Sequence, residues 1–296
     1  MKFTSLVLFL LTISFSLQAE DMTSQFENIY KSNRPLNSEQ IKQLKEIDFY
    51  LVPGIISEAF IQNDRRTILD FSILTKEYFS AQKNLLKKRG LNVKRLSASS
   101  FSVDETKENI RKALDESIKK GRKSFFITHS LGGLALLEEI LENSYEDEIS
   151  GIIFIQTPFS GAPVADVYLS YPYNIDKWLN PILPFFNTSI ETLQTLSVKT
   201  RVEFMKAEEE RIKGLLGKIP VMTVAGLTNN YRTVFKPSVD LIEFGCVKTF
   251  FNKCLTEKLY DGPYDQSDGM VPVESSKLLD ADFVILKGAD HGETAP

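Results

Sequence analysis

Six short strand-like runs separated by helix-forming stretches constrain this chain more than any other feature. They are DFYLVPG (48–54), LNVKRLSAS (91–99), SFFIT (124–128), ISGIIFIQ (149–156), IPVMTVAG (219–226) and ADFVILKG (281–288). Most hold apolar, β-branched or aromatic residues at consecutive positions, so their strands need cover on both faces. Strands of that kind alternating with helices form a mostly parallel sheet between helical layers. The class is therefore α/β.

The intervening helices carry their own punctuation. Residues 20–47 are polar and helix-prone, with an N-cap at Asn37 or Ser38. Ile73–Arg89 has helical spacing and stops at Gly90, and Asp104–Lys120 opens on an acidic cap and closes on Lys-Lys-Gly. A further helix runs from the SFFIT strand through Leu141. One segment breaks the alternation, the insertion between Pro163 and Gly217 with Trp178, Phe185 and Phe186. It is either a helix pair packed on the body or a lid over an apolar cleft, in which case those three aromatics are substrate-binding candidates.

The ends and the charge narrow the setting. Residues 1–19, MKFTSLVLFLLTISFSLQA, place Lys2 before an apolar stretch and finish on Leu17-Gln18-Ala19. That is the layout of a signal peptide cleaved after Ala19, because the apolar stretch falls short of the ~20 residues a membrane span needs. Export to a periplasm or to the outside follows, with residues 20–296 as one domain. A formal net charge of −4 argues against a nucleic-acid partner. Cys246 and Cys254 flank VKTFFNK, and in an oxidising compartment this short loop favours a disulfide contributing ~2–3 kcal/mol; two separate thiols are the alternative. Neither of the two histidines stands at a ligand-like spacing from them, so no metal or cofactor is expected.

Reactive chemistry concentrates in FFITHSLGGL (125–134). A strand, then His-Ser-Leu-Gly-Gly, then a helix is the context of a nucleophile elbow, where Ser130 sits on a strained turn at the C-terminal edge of the sheet. Gly132 and Gly133 supply small neighbours on one side, whereas Thr128 stands where such turns have a first glycine. A serine hydroxyl needs a base to take its proton. His129 points away on a tight turn, so it packs or bonds locally, which leaves His291 in the loop after the last strand. Asp268 in SDGMVPVESS is the carboxylate placed to orient His291, ahead of Asp265, Asp282 and Asp290. The backbone N–H groups of Leu131 and Ile55 are the oxyanion-hole candidates, each such donor worth ~3–4 kcal/mol.

With these residues in order, the chain resembles a bacterial lipase or esterase of the α/β-hydrolase superfamily. The resemblance covers most of 48–296 and rests on LVPGII, ITHSLGGLALLE, IIFIQTPFSGAPVAD, VMTVAG, SDGMVPVESS and ADHG in succession. It implies an α/β-hydrolase fold with a helical lid, an acyl-enzyme on Ser130, and an ester or lipid substrate met transiently at a lipid interface. Two positions depart from those lipases: Pro53-Gly54 replaces a usual His-Gly, and Phe159 stands where a histidine is usual. Phospholipase or acyltransferase chemistry on the same residues is a second reading. A non-catalytic lipid-binding protein on this scaffold is a third.

Overall fold

The computed structural model describes residues 19–32, 35–54, 79–170, 188–228 and 266–292. Among the described residues, six strands form one sheet: β1 Ile47–Val52, β2 Asn92–Arg95, β3 Lys123–His129, β4 Ile149–Ile155, β5 Val221–Leu227 and β6 Asp282–Lys287. Their order is β2-β1-β3-β4-β5-β6, and every pairing is parallel. The α/β class and the parallel sheet expected from the strand runs are what the chain adopts.

Period-two alternation sends each strand's side chains to both faces. Tyr50, Val52, Phe126, Ile152 and Phe154 enter one core cluster. Phe49, Leu51, Phe125, Ile127, Ile153 and Ile155 enter the other. Helices α1 (Thr23–Ser32), α2 (Ser38–Lys45) and α3 (Ser80–Lys88) bury Phe26, Leu44 and Leu86 in the second cluster. Helices α4 (Val103–Lys119) and α5 (Leu131–Asn143) bury Ile110, Leu114, Leu134 and Leu137 in the first. Consecutive apolar runs thus reflect two buried faces.

Local signals fixed several boundaries, with corrections: α3 opens at Ser80, because Phe79 at φ 62° breaks the helix expected from Ile73, and residues 73–78 lie outside the described residues. Asn37 caps α2 in a reciprocal capping box with Gln40. Ser102, rather than an acidic residue, caps α4, while Asp104 and Glu105 occupy its first turn beside the positive helix end. β4 stops at Ile155 because Gln156 turns to φ 48°, a conformation no strand residue holds.

The insertion is described in part. It contains α6 (Pro163–Ser170), α7 (Ile190–Thr195), α8 (Val198–Ala207) and α9 (Glu209–Leu216). Leu193, Leu196, Ile212 and Leu215 join the core cluster of the sheet, so this portion packs on the body. Trp178, Phe185 and Phe186 lie outside the described residues, as do Cys246 and Cys254 with their expected bridge, and the signal segment up to residue 18.

Candidate active site

Parallel strands deliver their following loops to one edge of the sheet, and the singled-out side chains meet there. Ser130 sits between β3 and α5 at φ 52° and ψ −129°, an arrangement that costs a non-glycine residue about 1–3 kcal/mol. The turn is pinned from behind, since the Ser130 N–H donates to the Ile155 carbonyl at 2.9 Å. Close approach is enforced on three sides. A Cβ on Gly132 would stand 2.4 Å from the Pro53 carbonyl oxygen, one on Gly133 2.0 Å from Thr157 Oγ1, and one on Gly54 2.7 Å from Ser130 Cβ. Room in front of the serine therefore comes from Gly54, and Thr128 is accommodated as a fully buried residue between β1 and β4.

Asp268 follows β5 in a tight Asp-Gly turn whose Gly269 takes φ 96°. Its Oδ1 accepts the N–H groups of Met270 at 2.8 Å and Val271 at 2.7 Å, which fixes the carboxylate plane. Its other oxygen, Oδ2, lies 2.8 Å from His291 Nδ1, and His291 Nε2 lies 3.0 Å from Ser130 Oγ. Because a carboxylate only accepts, Nδ1 carries the proton and Nε2 is left to accept the serine hydroxyl. The His291 N–H also donates to the Asp268 carbonyl at 3.0 Å, so backbone and side chain hold the pair together. Asp268 and His291 are buried, while Ser130 keeps 9% of its surface open.

The other candidates fall elsewhere. His129 is buried, with Nε2 2.9 Å from Gln156 Oε1 and its ring centroid 4.7 Å from that of His291. Burial, then the neighbouring His291, push its pKa well below the ordinary imidazole value; contacts with Gln156 and the His291 backbone act in the opposite sense and are outweighed. Asp282 accepts the Glu20 N–H at the start of β6, and Asp290 accepts the Gly292 N–H. Asp265 and Ile55 lie outside the described residues. Leu131 is the first residue of α5, where a backbone N–H has no acceptor within its own helix. Phe159 is a core residue, edge-on to Phe154 at 5.2 Å, with its backbone N–H donating to the Ser275 carbonyl.

Sequence reasoning passed over Gln156 and Gly226. A Cβ on Gly226 would stand 2.1 Å from Gln156 Nε2 and 2.8 Å from Asp268 Cβ, so this glycine makes room for both. The available signal was a lone polar residue ending the apolar run IIFIQ (152–156).

No protein-family model matches the chain, and no curated protein matches it in sequence. Solved structures do match in shape. The mature lipase BlEst2 of Bacillus licheniformis superposes with a TM-score of 0.60 at 17% identity, over 83% of this chain and 85% of that one. A metagenomic carboxyl esterase gives 0.59 at 14% identity, over 88% and 68%. Lipase 1 of Pelosinus fermentans gives 0.52 at 12% identity, over 84% and 93%. The chain has the α/β-hydrolase fold of bacterial lipases and esterases.

Proposed function

We propose that this protein is a serine hydrolase of carboxylic esters that works through an acyl-enzyme on Ser130. The observation that carries the reading is the continuous hydrogen-bonded chain from Ser130 Oγ through His291 to Asp268, at 3.0 and 2.8 Å, beginning at a backbone-strained serine. Ser130 Oγ attacks the ester carbonyl carbon as its proton passes to His291 Nε2. The tetrahedral oxyanion is stabilised by the backbone N–H groups of Leu131 and Ile55. Collapse breaks the acyl–oxygen bond, and His291 returns the proton to the departing alkoxide. Water then repeats the sequence on the acyl-enzyme, releasing the acid and restoring Ser130. Asp268 keeps His291 in the required tautomer and stabilises the imidazolium.

The apolar surplus of the 163–217 insertion, with Trp178, Phe185 and Phe186, favours lipid-like acyl groups and a cleft bounded by that segment. The charged-then-apolar opening of residues 1–19 favours export. Ser130→Ala is expected to lower turnover of a p-nitrophenyl ester by at least about 10³-fold and to abolish labelling by a fluorophosphonate. Wild-type turnover in that variant would overturn the reading. Rates across an acyl-chain series, with and without a lipid interface, then define the preferred substrate.

A further inference from the structure

We propose that His129 and Gln156 are positioning residues: they form a brace that ties the nucleophile turn to the loop bearing the base. The brace rests on the assignment of Ser130 and His291 made above. His129 immediately precedes Ser130, and Asp290 immediately precedes His291. Beside the contact of His129 with the His291 backbone, the Gln156 side chain spans the two segments. Gln156 Oε1 lies 2.9 Å from His129 Nε2, and Gln156 Nε2 donates to the Asp290 carbonyl at 3.1 Å. Since the amide nitrogen is committed to that carbonyl, the amide oxygen accepts, and His129 Nε2 carries the proton.

Three features separate this arrangement from ordinary core packing. Gln156 holds φ 48°, unfavourable for a non-glycine residue, and its backbone N–H is fixed to the Val224 carbonyl at 2.7 Å. Gly226 leaves the amide its place, because any Cβ there would overlap Gln156 Nε2. A buried polar bridge also costs desolvation that an apolar residue of the same volume would avoid, so it persists where geometry matters more than stability. The His129 ring lies 4.7 Å from the His291 ring at an interplanar angle of 52° and limits how that imidazole can tilt. A second cation at that distance would oppose the imidazolium that forms on His291 during turnover. Burial holds His129 neutral, so it does not.

The test compares wild type with Gln156→Leu and His129→Phe. Gln156→Leu removes both bridging bonds, and His129→Phe keeps a ring beside His291 while removing the polar contacts of His129 with Gln156 and with the His291 backbone. Four quantities are measured: kcat and KM on a short-chain p-nitrophenyl ester, the rate of fluorophosphonate labelling at Ser130, and the downfield proton resonance of His291 Nδ1–H. The brace requires kcat and the labelling rate to fall about 10–100-fold in each folded variant, with KM changing less than about threefold. It also requires the downfield resonance to shift or broaden. Variants that melt earlier yet keep kcat, labelling rate and resonance would show simple packing and overturn the brace. If Gln156→Leu does not fold, His129→Phe decides the matter. Absence of labelling in the wild-type chain overturns the Ser130 reading itself, whereas normal labelling of wild type and both variants overturns the brace alone.

Discussion

Ser130, His129 and Gln156 each carry a cost that an ordinary core residue does not: backbone strain at two of them, imidazole desolvation at the third. The desolvation has a consequence for stability. An unfolded histidine titrates near ~6.5, whereas His129 in the fold stays neutral well below that, with His291 as a titratable neighbour. Above ~6.5 both states are neutral and His129 contributes nothing to pH dependence. As pH falls below that value the unfolded chain takes a proton that the folded chain refuses, so stability falls with a slope of up to about 1.4 kcal/mol per pH unit. Chemical denaturation of wild type and His129→Phe between pH 7 and 5 checks this, and the variant is expected to show the shallower dependence.

At the scale of elements, the end of the sheet remote from Ser130 is held by Asp48. This buried carboxylate accepts Asn92 Nδ2 and Arg122 Nε on Oδ1, each at 2.5 Å, and Ser117 Oγ on Oδ2 at 2.9 Å. It thereby joins β1 to β2, to α4 and to the residue before β3. Burial alone would raise the Asp48 pKa, but bonds from Asn92, Arg122 and Ser117, with the Arg122 charge, outweigh it and set it below the ordinary value. The stabilisation is therefore present above ~3.9 and is lost as acid carries the pH down through the lowered folded value. Asp48→Ala is expected to destabilise the fold by about 2–4 kcal/mol, because Arg122 loses its carboxylate counter-charge and keeps only the Lys45 and Ile47 carbonyls, while kcat per folded molecule stays unchanged. Denaturant titration together with active-site counting by fluorophosphonate separates the two effects.

Across the whole molecule, the segment ahead of the first strand closes the last one. Phe283 N–H donates to the Glu20 carbonyl at 3.1 Å, Met22 N–H donates to the Phe283 carbonyl at 2.8 Å, and Ile285 N–H donates to Thr23 Oγ1 at 2.9 Å. Met22 and Phe26 are buried in the same cluster as Val284. An edge strand covered in this way is withheld from pairing with another chain. Removing residues 20–32 uncovers that edge and two apolar anchors together. Melting is expected to drop by on the order of 10 °C, and light scattering should reveal concentration-dependent association.

What the sequence determined by itself was whatever depends on short-range chemistry. Apolar runs with buried β-branched residues specified the strands, Asn37 and Gly90 marked helix ends, and THSLGG (128–133) specified a tight strand-to-helix turn. With two histidines in the whole chain and His129 next to Ser130, His291 stood out as the candidate base. Only the tertiary structure could decide the rest, because those contacts join residues far apart in the chain. Asp268 rather than Asp282 or Asp290 faces the imidazole because the loop after β5, not the start of β6, reaches it. Gln156 meets His129 and Asp290 only once β3, β4, β5 and β6 lie side by side, and residues 20–22 find β6 across 262 positions of chain. Periodicity and capping act over a few residues, whereas the partners of a buried polar group are chosen by packing, which local sequence does not encode.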